Sequence, residues 1–148
     1  DKWDILTFNK VDYYDIWALQ FDKIIHHVRC FGTKSGFVVD FVKNMIKSKL
    51  NKLNESEYLP VYSAFNGFGI YKMNVITDSN YNGKTQSYFP TESVNKMIDY
   101  LNENVKNKRK SIELKPNKEN CEHIGFHMNI IKKNPTVKIM ITRDILFN

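Results

Sequence analysis

The sequence predicts an α/β fold, a mixed sheet with flanking helices, in a single domain over residues 1–148. Three observations carry that expectation. In residues 37–53 the apolar side chains Phe41, Val42, Met45, Ile46, Leu50 and Leu53 recur at helical spacing, with lysines on the other face. A second stripe, Val94, Met97, Ile98, Leu101 and Val105, follows Pro90-Thr91-Glu92 and predicts a helix over 92–105. Val137, Ile139 and Ile141 alternate as a strand should, and residues 59–72 read as strand, turn and strand.

In chain order, residues 3–8 alternate enough for a first strand, closed by Asn9, Lys10 and Asp12. Residues 13–21 (YYDIWALQF) read as a strand, with a short helix as the alternative. Residues 22–36 are irregular. The pair His26-His27 suggests a metal, but neighbours on a strand point to opposite faces, and a solvated or packed pair is the plainer reading. Asp40 is a candidate N-cap for the first helix. Strands are expected near 61–65 and 68–73, then a loop over 74–86 marked by Asp78-Ser79-Asn80 and Asn82-Gly83. Residues 106–120 read as a charged, flexible surface loop. A helix over 121–133, capped by Asn120, should turn Ile124, Met128 and Ile131 inward and stop at Lys132-Lys133-Asn134-Pro135. A last strand is expected near 137–142.

Composition narrows the function classes. With 42% hydrophobic and 14% aromatic residues, the chain can build a core. The net charge of +6 invites a nucleic-acid reading, yet the cations are mostly lysine, with Arg29, Arg109 and Arg143 the only arginines. Seventeen Asn accompany the lysines and isoleucines, the vocabulary of an A+T-rich coding sequence. Base readout favours arginine forks, so nucleic acid is not the expected partner. Cys30 and Cys121 supply neither a disulfide framework nor a CxxC zinc knuckle. No run reaches the roughly 18 apolar residues of a membrane span.

Two stretches carry the chemistry. In 59–72 (LPVYSAFNGFGIYK) an aromatic–Asn–Gly–aromatic–Gly turn interrupts an apolar run. Its glycines suit a backbone that approaches a ligand, or a buried hairpin with a bulge. In 121–129 (CEHIGFHMN) Glu122 and His123 open a helix, where the positive dipole end keeps a carboxylate charged and an imidazole neutral. Either can then act as a general base. His123 and His127 stand four apart and share a helix face, which suits either one metal ion or a structural pair. The order is not HExxH, so a protease reading is poor.

These residues resemble a known family. WDILTFNKVDYYDIWALQF, SAFNGFGIYK and CEHIGFH together are similar to the second half of nucleotide-sugar glycosyltransferases of the GT-A type, above all to glycosyltransferase-like proteins of large DNA viruses. The resemblance spans nearly the whole chain. It implies part of a GT-A-like fold, a nucleotide-sugar donor, and a glycan or protein hydroxyl as acceptor. It implies a donor pocket lined by Asn66, Gly67 and Phe68, a base drawn from Glu122 and His123, and His127 or His123 in a metal shell. Asp15, in its YYDIW context, would face the acceptor, with Trp17 on the substrate side. The implied cofactor is a divalent ion, Mn or Mg, held in such enzymes by an Asp-x-Asp pair. No Asp-x-Asp occurs in the 148 residues, and the resemblance would place that motif upstream of Asp1.

Overall fold

A computed structural model describes residues 1–21, 36–77, 79, 81, 99, 103 and 121–146. Its elements are β1 (Ile5–Asn9), α1 (Gly36–Asn51), β2 (Tyr58–Pro60), β3 (Gly69–Tyr71), α2 (Met73–Ile76), α3 (Glu122–Lys133) and β4 (Ile139–Ile145). The fold is α/β: the strands form one mixed open sheet in the order β2-β4-β1-β3. β1 runs parallel to β4 and antiparallel to β3, and β2 closes the other side antiparallel to β4.

The two inner strands are the β-branched, apolar ones. Ile5, Leu6, Thr7 and Phe8 are all buried, as expected of a strand covered on both faces. Register sorts the side chains. Ile5 pairs with Ile139 and Tyr71, and Thr7 with Ile141 and Gly69, so Ile5, Ile139, Ile141 and Tyr71 share one face. Val42, Ile46 and Leu50 of α1 and Ile124 and Ile130 of α3 join Ile5, Ile139 and Ile141 in one core cluster. Truncating Ile46 or Leu50, both fully buried, would cost about 2–5 kcal/mol. Asp4 clamps the sheet ahead of β1. Its carboxylate accepts from the Lys138 backbone N–H at 3.0 Å and from Lys72 Nζ at 3.0 Å.

Several boundaries differ from the sequence expectation. The strand expected at 61–65 lies earlier, at Tyr58–Pro60. Pro60 has no N–H to give a ladder, and β2 is an edge strand, where proline is tolerated. Residues 13–21 form neither a long strand nor a helix; at their end, isolated bridges replace a ladder, as between Gln20 and Ser63. Side chains hold this stretch instead, as Asp15 Oδ1 accepts from the Ala18 N–H at 3.1 Å. Asp40 sits inside α1 rather than capping it. The loop expected from residue 74 begins with the helical turn α2. Cys121, not Asn120, occupies the N-cap of α3, without a side-chain cap. The inward face of α3 comprises Ile124, Gly125, His127 and Ile130, while Met128 and Ile131 are half-buried. Of the helix expected at 92–105, Asp99 and Glu103 are described and helical. The expectations for 22–35, including His26, His27 and Cys30, and for the loop 106–120 lie outside the described residues.

Candidate functional site

The Asn66–Gly67 turn fixes one wall. Asn66 has φ 52 and Gly67 φ 93, and the Phe68 N–H donates to Phe65 O at 3.3 Å. Positive φ at both central positions is what a type I′ turn requires, and Asn-Gly is its preferred sequence. The positive φ is what favours glycine at 67; a Cβ there would also lie 2.9 Å from Tyr14 Oη, but that oxygen ends a movable, exposed side chain.

Asn66 is 2% exposed, and its amide is directed at backbone rather than at a ligand. Oδ1 accepts from the N–H groups of Tyr14 and Asp15 at 3.3 Å each, and Nδ2 donates to Phe8 O at 3.1 Å. The donor-binding role expected of its side chain is therefore corrected. Asn66 is a strut that ties the end of β1 and the Tyr14–Asp15 loop to the turn. Phe68 packs at 5.6 Å against Phe8 and stays 41% exposed, and Trp17, 41% exposed, stands on the turn that follows Asp15.

The second wall is the first turn of α3. His123 lies flat on Phe65, with centroids 3.9 Å apart and planes at 27°, and Tyr81 meets the same imidazole edge-on at 5.1 Å. Glu122 is half-exposed, its Oε1 4.0 Å from His123 Nδ1, and Cys121 Sγ lies 3.8 Å from that nitrogen. Burial lowers the His123 pKa; the carboxylates of Asp15 and then Glu122 pull it back up. Burial also pushes the Cys121 thiol up to about 12, and the Tyr81 phenol is raised mainly by burial and further by Tyr71, Glu122, Cys121 and Asp15. Asp15 thus acts electrostatically on this cluster from a loop that Asn66 anchors. The structure brings Phe65, Tyr81, Cys121, Glu122 and His123 together, with Asp15 linked to them only through its charge. A groove of about 420 Å³ between Phe21, Val61 and Ile139 includes none of them.

His127 is corrected as a metal ligand. It is fully buried and both ring nitrogens have partners: Nδ1 is 2.8 Å from Ser63 Oγ and Nε2 is 3.1 Å from Tyr71 Oη. Burial, and then the charge of His123, depress its pKa to about 3. Among the described residues the group with liganding atoms within 4.8 Å of one another is Cys121, Glu122 and His123. For Mn or Mg the fit is partial. Glu122 and His123 offer one oxygen and one nitrogen, whereas Cys121 would bind a softer ion only as a thiolate, the form its burial disfavours.

Sequence reasoning missed Phe65, Tyr81, Tyr71 and Ser63 as members of this region. Ser63 and Tyr71 carried a weak signal, hydroxyls set into an otherwise apolar stretch, whereas Phe65 and Tyr81 read as ordinary aromatics. No family model, curated protein or solved structure matches the chain. Among the described residues no helix is long and apolar enough to cross a membrane.

Proposed function

We propose that the chain is the acceptor-side part of a GT-A-like glycosyltransferase, moving a sugar from a nucleotide-sugar donor to a hydroxyl of a glycan or protein. The observation that carries this reading is the stacking of His123 on Phe65. It joins the start of α3 to the residue preceding the Asn66–Gly67 turn, with Glu122 beside it and Asp15 within electrostatic reach. Residues remote in sequence so form one polar site with aromatic walls, the composition that sugar recognition uses.

Glu122 is the base: its exposed carboxylate takes the proton of the acceptor hydroxyl as that oxygen attacks the anomeric carbon. His123 stays neutral through burial and orients the acceptor or the base. Asp15 steadies positive charge that develops on the sugar. A divalent ion, when bound, would supply charge to offset the departing diphosphate, and with Glu122 free as the base His123 is the residue here that would join its shell.

Calorimetric titration with UDP-, GDP- and CMP-sugars in the presence of manganese tests the reading, followed by transfer assays with the full chain. One nucleotide sugar should bind, and Glu122→Gln should lower the rate by roughly a hundredfold. No binding by any of the three classes, or salt-sensitive binding of single-stranded nucleic acid instead, would favour a non-catalytic binding module.

A further inference from the structure

The chain Ser63–His127–Tyr71 runs from the core to the half-exposed side of the sheet. Ser63 sits at the bridge to Gln20, His127 projects inward from α3, and Tyr71 of β3 faces α3 because it pairs with Ile5. Ser63 and His127 are both 0% exposed, and Tyr71 is half-buried. The two hydrogen bonds are short enough to be well formed, at 2.8 and 3.1 Å. A neutral imidazole has one N–H and one bare nitrogen, so only one of its two partners can donate to it.

Donor counting decides which. The hydroxyl of Ser63 has one partner among the described residues, His127 Nδ1. Gln20, whose backbone pairs with that of Ser63, keeps a buried Oε1 with no partner, so the serine proton does not go there either. Were Nδ1 protonated, Ser63 would accept from it and bury its own O–H without an acceptor, a penalty of about 1–3 kcal/mol. Tyr71 is half-buried rather than enclosed, so the same counting leaves its O–H for water or a ligand. The arrangement that leaves no buried donor unmatched is Ser63 O–H to Nδ1 and Nε2–H to Tyr71 Oη.

We infer that Ser63 holds His127 as its Nε2–H tautomer, and that Tyr71, its oxygen occupied by that N–H, offers its phenolic proton to an oxygen of the bound ligand. A phenol that accepts a hydrogen bond becomes a stronger donor, so the buried pair sharpens the tyrosine. Tyr71 stands beside the site: its ring lies 5.9 Å from Phe126, which lies 5.1 Å from Tyr81, the ring capping His123. The ligand atom it serves is an oxygen with open lone pairs, a sugar hydroxyl or a phosphate oxygen. The inference rests on the glycosyltransferase reading only for the identity of that ligand.

Long-range ¹⁵N–¹H correlation of the histidine rings at neutral pH tests the tautomer. The expected result for His127 is a protonated Nε2 and a bare Nδ1. A protonated Nδ1 would overturn the inference, because Tyr71 would then be donating to the ring. Tyr71→Phe tests the second limb with whichever nucleotide sugar binds in the titrations above. Roughly tenfold weaker binding is expected, the loss of one hydrogen bond to a ligand oxygen. An unchanged dissociation constant would overturn the ligand-facing role. If no nucleotide sugar binds, the glycosyltransferase reading fails while the tautomer still decides the inference.

Discussion

His123 lies on the ring of Phe65 at 3.9 Å, and this contact makes one site of two segments. Phe65 precedes the Asn66–Gly67 turn, and His123 opens the helix whose next turn carries His127 into the core. Phe65→Ala should lower stability by about 1–2 kcal/mol, since the ring is only half-buried. It should also weaken ligand binding, whereas Phe65→Tyr should preserve both. Urea melts and calorimetry on the two variants check this.

Asn66 gives a graded expectation. Its amide holds three backbone groups, and its φ of 52 lies where glycine is at ease and alanine is not. Asn66→Gly loses the hydrogen bonds alone. Asn66→Ala loses them and adds left-handed strain of about 1–2 kcal/mol. Denaturant midpoints should therefore fall further for alanine than for glycine. Equal losses would show that the backbone relaxes out of its positive φ.

Gly67→Ala should cost about 1–2 kcal/mol through backbone strain alone. The added Cβ also meets Tyr14 Oη at 2.9 Å, but that oxygen ends an exposed, movable side chain. The loss should be nearly the same in a Tyr14→Phe background. A double-mutant cycle measures it, and a rescue by Tyr14→Phe would place the cost in the contact instead.

Stability should depend on pH through the buried histidine. His127 titrates near 6.5 when unfolded and is held to about 3 when folded, so between those values the unfolded chain binds the extra proton. Its stabilising effect is complete above about pH 6.5 and is lost as the pH falls toward 3. His123, lowered in the same direction, adds to the slope. Asp4 is held below its ordinary 3.8 by the Lys138 N–H, so its share is lost only at lower pH. His127→Gln should flatten the loss of stability between pH 6.5 and 4, measured as the change in melting temperature. An unaltered slope would show that His127 is not the group responsible.

Much of this architecture is legible in the residues. Val42, Ile46 and Leu50 recur at helical spacing and do face the core. Ile139 and Ile141 alternate with Met140 and pair with β1. Residues 13–21 misled because their alternation is partly real, with Ile16 and Ala18 buried around an exposed Trp17. What shapes them is non-local, the amide of Asn66, which no window around Asp15 contains. The site was half legible. Glu122 and His123 stand out at a helix start, and Asp15 in its aromatic context. Asn66 looked like a ligand contact because an Asn-Gly turn between aromatics reads the same whether its amide faces outward or inward. His127 looked like a partner of His123 because spacing by four shows a shared helix face, not which end of that face is covered by Ser63 and Tyr71.

Asp15, Phe65, Glu122 and His123 are proposed to form one ligand site. Backbone amide shifts during titration with the nucleotide sugar that binds most tightly, manganese present, test it most directly. The expected result is that Asp15, Phe65, Gly67, Glu122 and His123 respond together with a single dissociation constant, and that Glu122→Gln changes the response of Asp15 as well as its own. Shifts confined to the groove beside Phe21 and Ile139, or no response at these five residues, would contradict it.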